Sequence, residues 1–316
     1  MTKSRRTRLG VGALMIGIPA SAAAIAAGQA LASPPPAPAK IQPQSRHIAY
    51  GHDVVLRGSA PASDAGHTVT LEYAERGATV WSQLGSTTIG SSGGFRLAAR
   101  LEHSGHVRVL DTSSGSPAPL VASSSGSGGA TSSPVPVNVA AGVHVRRHPI
   151  NVLAGQAVLV RGRLVPGARG RKVSLQALQG RSWDTLTTTR THAAGRFVLR
   201  YVAGSAGQQQ IRVRFAGDPL NDRSTAGAGQ MTVYRLAEAS WYNDAGTTAC
   251  GFHAGLGVAN RTLPCGTKVA FRYGGRSVTA TVDDRGPYVG GRDWDLNQNT
   301  AAALGFGGVG QVWSSQ

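Results

Sequence analysis

Apolar and polar residues alternate in short runs along most of this chain. Val69, Leu71 and Tyr73 form one such run and Ile211, Val213 and Phe215 another, with Gly-rich turns between runs. A period of two puts every second side chain on one face, which predicts half-buried β-strands. The runs also repeat. Gly51 to Gly58 (GHDVVLRG) lines up with Gly155 to Gly162 (GQAVLVRG), and Thr68 to Leu71 lines up with Lys172 to Leu175 at the same offset. The match continues through Trp81 and Trp183, Phe95 and Phe197, and Val107-Arg108-Val109 and Ile211-Arg212-Val213. Residues 46–140 and 141–235 are thus two copies of one module. About seven short strands per copy, with turns between them, predict a β-sandwich, and the modules resemble bacterial immunoglobulin-like repeats in architecture. Trp81 and Trp183 are expected to anchor the two cores. Thr112 to Pro134, rich in Ser, Gly and Pro, is a linker or a long loop before a last strand at Val135 to Val139.

The texture changes at Leu236. Strands are predicted at Lys268 to Tyr273 and Arg276 to Val282, joined by the hairpin signal Gly274-Gly275. Asn297 is placed to cap one short helix, Gln298 to Leu304, which Gly305 ends. The remainder reads as strands and turns, so residues 236–316 are expected to form a compact barrel with a single helix.

The first residues carry a different pattern. Lys3, Arg5, Arg6 and Arg8 precede an apolar run from Leu9 to Ala27, and Ala30-Leu31-Ala32 offers a small-residue cleavage site. Residues 1–32 therefore read as a secretory signal, and the Pro- and Ala-rich residues 33–45 as an extended spacer. No other run approaches the roughly 20 apolar residues of a membrane span. A secreted, wall-associated monomer without a transmembrane anchor is expected, and without a lipid anchor, because no cysteine follows the signal.

Export bears on the two cysteines. Cys250 and Cys265 meet oxidising conditions outside the cell and are expected to form one disulfide, worth about 3 kcal/mol for a loop of this size. A metal site would need more ligands than His253, the one histidine nearby, so no metal or cofactor is expected.

Charge singles out the second module. The chain carries 32 Lys+Arg against 15 Asp+Glu, a net charge of +17, yet residues 236–316 hold six of each sign. Residues 141–235 hold 15 basic and 3 acidic residues. That imbalance suits anionic wall polymers, acidic lipids or stray nucleic acid, or serves solubility alone, with no signal for a specific nucleic acid.

Against this background four aspartates, Asp283, Asp284, Asp293 and Asp295, gather around Gly286-Pro287. Along the preceding strand Val278, Ala280 and Val282 alternate with Ser277, Thr279 and Thr281. Asp284 shares the apolar parity, so it is expected to be partly desolvated and suited to proton transfer, while Asp283 is expected to face solvent. Asp295 is either a second catalytic carboxyl or a favourable charge near the helix N-terminus. Asp293, Arg285 and Arg292 are expected to make loop ion pairs.

Four motifs then carry a resemblance. Ala239-Ser240-Trp241-Tyr242, Arg261 to Thr267 (RTLPCGT), Asp284-Arg285-Gly286-Pro287-Tyr288 and Asp295-Leu296-Asn297 occur in the order found in the rare lipoprotein A family, whose fold is a six-stranded double-psi β-barrel. The Ala249-Cys250-Gly251 and Pro264-Cys265-Gly266 contexts resemble the related expansins and barwin-like proteins. The resemblance implies an all-β chain of two sandwiches and a double-psi barrel that acts on peptidoglycan glycan strands. Lytic transglycosylases of that family leave a 1,6-anhydro end, a reaction that one proton-shuttling carboxylate can serve. On this resemblance Asp284 and Asp295 are the catalytic positions, and Thr248, Asn260, Tyr242, Trp241 and Tyr288 line the groove. One departure matters. Where the family has a histidine before the Arg-Thr-Leu-Pro motif, this chain has Asn260, which can hydrogen-bond a sugar but cannot exchange a proton near neutral pH. A non-catalytic, expansin-like wall-binding protein and an adhesion stalk therefore stand beside the enzyme.

Overall fold

Strands form where the alternation predicts them. The computed structural model describes residues 38–112, 130–243 and 246–316; the segment read as a secretory signal and most of the Ser/Gly/Pro segment lie outside the described residues. The first repeat builds β1 (Lys40–Pro43), β2 (His47–Ala49), β3 (Asp53–Ser59), β4 (Thr68–Glu75), β5 (Ser82–Thr88), β6 (Gly94–Arg100), β7 (Gly105–Asp111) and β8 (Val135–Ala140). Strands β1, β3 and β6 make one sheet, and β2, β8, β7, β4 and β5 a second. Leu56 and Phe95 from one sheet are buried in the same core as Leu71 and Val109 from the other. The end of the expected spacer is itself structured: Lys40 to Pro43 pair with Leu56 to Ser59 as an edge strand, a position that tolerates proline.

The second repeat builds β9 (Gly142–Val145), β10 (Ile150–Leu153), β11 (Ala157–Val165), β12 (Lys172–Gln179), β13 (Ser182–Arg190), β14 (Arg196–Val202), β15 (Gly207–Phe215) and β16 (Ser224–Tyr242). It repeats the three-stranded sheet as β14-β11-β9 and packs it over a second core that includes Val160, Leu175, Phe197 and Val213. The tryptophans depart from expectation in both copies. Trp81 and Trp183 are only half-buried, and each lies under a guanidinium, Arg108 and Arg212, 4.0 Å from the ring centroid. Both sit on or beside strands whose outer face is solvated, so they brace an arginine rather than a core.

Strand β16 runs for 19 residues from the second repeat into the C-terminal region, and Leu236, where the sequence changes texture, lies inside it. Its last third joins β17 (Gly257–Ala259), β18 (Lys268–Tyr273), β19 (Arg276–Asp284), β20 (Trp294–Asn297) and β21 (Gly310–Ser314). The pairings run β16-β20-β17-β19-β18-β21 and back to β16, which closes a ring of six strands. Val258, Phe271, Val282, Trp294 and Leu296 fill it, with the Phe271 and Trp294 rings edge-to-face at 5.1 Å. Gly274 and Gly275, at φ 55° and 85°, supply the two positive φ angles of the tight hairpin. Helix α1 (Gln298–Leu304) starts where Asn297 Oδ1 accepts from the Thr300 amide at 2.9 Å and ends at left-handed Gly305. Among the described residues no helix is long and apolar enough to cross a membrane.

Candidate active site

Strand β17 is short, and it is flanked by β19, which ends at Asp284, and by β20, whose second residue is Asp295. Ala259 pairs in register with Asp284 on β19 and with Asp295 on β20. Directly paired residues project from the same face of a sheet, so the two carboxylates stand at one level on either side of Ala259, their backbones roughly 10 Å apart. Ala259 is buried, and its small side chain leaves room between them.

Asp284 is half-buried and held by the main chain. Its Oδ1 accepts from the amides of Ala249 and Arg285, both at 2.8 Å, while Oδ2 accepts no hydrogen bond from the described residues. Asp295 accepts the Ser240 hydroxyl at 2.8 Å. Burial pushes the Asp295 carboxyl above its ordinary value of 3.8; the Ser240 bond and the charge of Arg292 pull it back, and the negative charge of Asp284 adds to the rise. The raised value has a consequence for stability. Between the unfolded and folded pKa values the native state holds more protons, so Asp295 costs stability as pH rises through that interval. Asp295→Asn retains an acceptor for Ser240 and removes the charge. Thermal melts should show it more stable than wild type at neutral pH, with the gain shrinking below the ordinary carboxylate value; a gain that persisted in acid would contradict this.

Two loops wrap Asp284 and are tied to each other. Cys250 and Cys265 form the expected disulfide, Cα atoms 5.8 Å apart, joining the loop that supplies the Ala249 amide to the loop after Asn260. Arg285 reinforces the tie, donating to the carbonyls of Asn260 and Leu263 at 3.0 and 2.9 Å and to Cys265 Sγ at 3.0 Å. Arg285 is thus a brace on main-chain carbonyls, where an ion pair was expected. Asp293 does make an ion pair, with Arg235 at 3.3 Å, and it also accepts from the Glu238 amide. Asn260 caps its own turn: Oδ1 accepts from the amides of Thr262 and Leu263 at 3.0 and 2.8 Å. Among the described residues no cluster of three or more His, Cys, Asp or Glu side chains is placed to hold a metal ion.

Residues 236–313 match the sequence model of a family described as "Lytic transglycolase". The six-strand ring with its parallel β16–β20 and β17–β19 pairs covers the same residues. This region is a rare lipoprotein A-like double-psi β-barrel. Over a 90-residue alignment the chain is 40% identical to a protein of Synechocystis sp. named "Probable endolytic peptidoglycan transglycosylase RlpA". The alignment covers 23% of this chain and 26% of that relative, so the chain spans about a quarter of the relative's length.

The double-psi barrel brings some of the expected groove residues together and sets others apart. Thr248 is buried, and its hydroxyl donates to the Phe252 carbonyl at 2.6 Å, which shapes the loop that carries Ala249. Tyr242 shares the strand face of Ser240, the partner of Asp295, and is half-buried. Trp241 has the opposite parity and stands 46% exposed near the end of β16. Tyr288 is 82% exposed. A Cβ placed on Gly286 would lie 3.8 Å from the Ala259 side chain and 3.9 Å from the Tyr288 ring, so this ring flanks the wall between the carboxylates.

Asp283 reverses its expected orientation. It is fully buried, accepts from the Ala254 amide at 2.8 Å, and sits so close to Gly257 that a Cβ there would come within 2.3 Å of its carboxylate. The cause is a bulge: Val258 pairs with Val282 and Ala259 with Asp284, so Asp283 is the extra residue and the simple alternation ends before it. The reading from sequence also missed Ser240 as the partner of Asp295 and the Ala249 amide as a holder of Asp284. Both lie within motifs quoted above, Ser240 in Ala239 to Tyr242 and Ala249 in Ala249-Cys250-Gly251, but neither motif tells which carboxylate its residue meets.

Proposed function

We propose that this is an exported, peptidoglycan-acting protein whose double-psi barrel cleaves glycan strands as a lytic transglycosylase does, with Asp284 as acid/base. The observation that supports this reading most is the carboxyl pair: Asp284 held through Oδ1 with Oδ2 open, and Asp295 biased toward its neutral form at the same level. In this reading Asp284 Oδ2 gives a proton to the glycosidic oxygen as the bond from C1 to that oxygen breaks. The sugar's own C6 hydroxyl closes on C1 and returns its proton to Asp284, so no water is consumed and the new end is 1,6-anhydro. The burial that raises the Asp295 carboxyl opposes a second full negative charge beside Asp284 as charge moves on and off it. Tyr288 and Trp241 offer exposed rings to the apolar faces of sugars.

One observation favours a second reading, a groove that grips glycan without cutting it. At the position where the resembling family has histidine, the Asn260 carbonyl is committed to the turn and no proton-exchanging group replaces it. Variants at Asn260 separate the two. Asn260→Ala leaves two amides without their acceptor and should cost about 1 kcal/mol of stability together with glycan affinity. Asn260→His should raise the yield of anhydro-ended product from peptide-free glycan strands. Product formation that falls in Asn260→His would make asparagine a working part of the site.

A further inference from the structure

The outer face of the small sheet in the second repeat carries charge that nothing in the fold balances. A groove of about 1270 Å³ runs over β9, β11 and β14 and is lined by Arg146, Arg147, Arg161, Arg163 and Arg196, with His144 and His148 at its side. Arg163 and Arg196 are directly paired across the strands, an arrangement that costs stability because like charges face each other. None of the five arginines has an ion-pair partner among the described residues. The three strands contain no acidic residue. The matching sheet of the first repeat also pairs two arginines, Arg57 and Arg96, but there Asp53 supplies an acid that faces Arg100 at 3.6 Å.

The lining also restricts what kind of anion fits. Arginine only donates hydrogen bonds, and apart from the two imidazoles the groove has no side-chain acceptor. The side chains therefore favour a ligand whose acceptor oxygens outnumber its hydroxyl donors. Leu159 and Val198, 39% and 42% exposed, lie between the arginines and suit short hydrocarbon links. Phe197 is buried and the lining holds no exposed Phe, Tyr or Trp, so the rings open to a base are the imidazoles of His144 and His148 at the side of the groove. Successive outward positions on a strand are about 6.6 Å apart and paired residues about 5 Å apart, so the face presents a charge at each short step of a linear chain.

We propose that this groove binds a linear polyanion of phosphodiester-linked polyol units, laid across β11 and β14 with its phosphates on the Arg161, Arg163 and Arg196 forks. The site is separate from the barrel and does not depend on its chemistry. Binding of the full chain to synthetic poly(glycerol phosphate) oligomers, measured by calorimetry over a salt series, tests it. Arg161→Gln with Arg163→Gln and Arg196→Gln should reduce the slope of log affinity against log salt by about three. Without polymer the same variant should melt at or above the wild-type temperature, which separates lost binding from lost folding. Poly(glycerol phosphate) should bind more tightly than polyglutamate, single-stranded DNA or anionic lipid vesicles at equal charge concentration. Equal or tighter binding of any of these three, or a triple variant that binds as wild type does, would overturn the proposal.

Discussion

Asp284→Asn should cut the formation of anhydro-ended product by about 100- to 10,000-fold, the usual contribution of a positioned acid/base group. The fold should survive. Asparagine keeps an oxygen for the amides of Ala249 and Arg285, so the loops that close on residue 284 keep their anchor. What is lost is the ability of the second oxygen to exchange a proton. An Asp284→Asn protein with unchanged melting temperature and unchanged turnover would move the chemistry elsewhere. Parallel measurement of glycan binding adds a control, because loss of turnover with retained affinity assigns Asp284 to the reaction rather than to grip.

Removing the disulfide should have the second large effect. Replacing Cys250 and Cys265 together with serine frees a loop of 15 residues and should destabilise the barrel by about 3 kcal/mol on the chain-entropy account. Activity should fall further than stability alone requires, since the same loop presents the Ala249 amide to Asp284 and the other end of the bridge receives the Arg285 guanidinium. Denaturant unfolding gives the first quantity, and turnover well below the unfolding transition gives the second. A double-serine variant that loses stability yet turns over like wild type would show that Asp284 is held without the tie.

Much of the architecture is legible in the residues because it depends on local chemistry. Alternation marks the strands, Gly274-Gly275 the hairpin, Asn297 and Gly305 the two ends of α1, and the pair of cysteines the bridge. Such features need only a strand period or a turn preference. The misread ones depend on partners far along the chain. Asp283 turns inward because β17, some 25 residues earlier, pairs with a bulge, and strand parity alone carries no sign of that. Thr248 and Asn260, read from the sequence as groove residues, also bond to main-chain groups within four residues, a local competition that short polar side chains often win in loops. Trp81 and Trp183 look like core residues by size, and the arginine above each, contributed by the strand two places across the sheet, explains their half-buried positions. The candidate site lies between these cases: its aspartates are visible in the motifs, and their meeting across Ala259 is a property of the closed sheet.

The chemical identity of the product decides the central claim. Peptide-free glycan strands incubated with the wild-type protein, then separated and weighed by mass spectrometry, should yield fragments whose new ends are one water lighter than a reducing sugar, the mark of intramolecular attack by the C6 hydroxyl. Fragments with ordinary reducing ends would show that water is the nucleophile, and intact strands that bind the protein without being cut would leave the barrel a glycan-gripping module; either result would contradict the account given for Asp284.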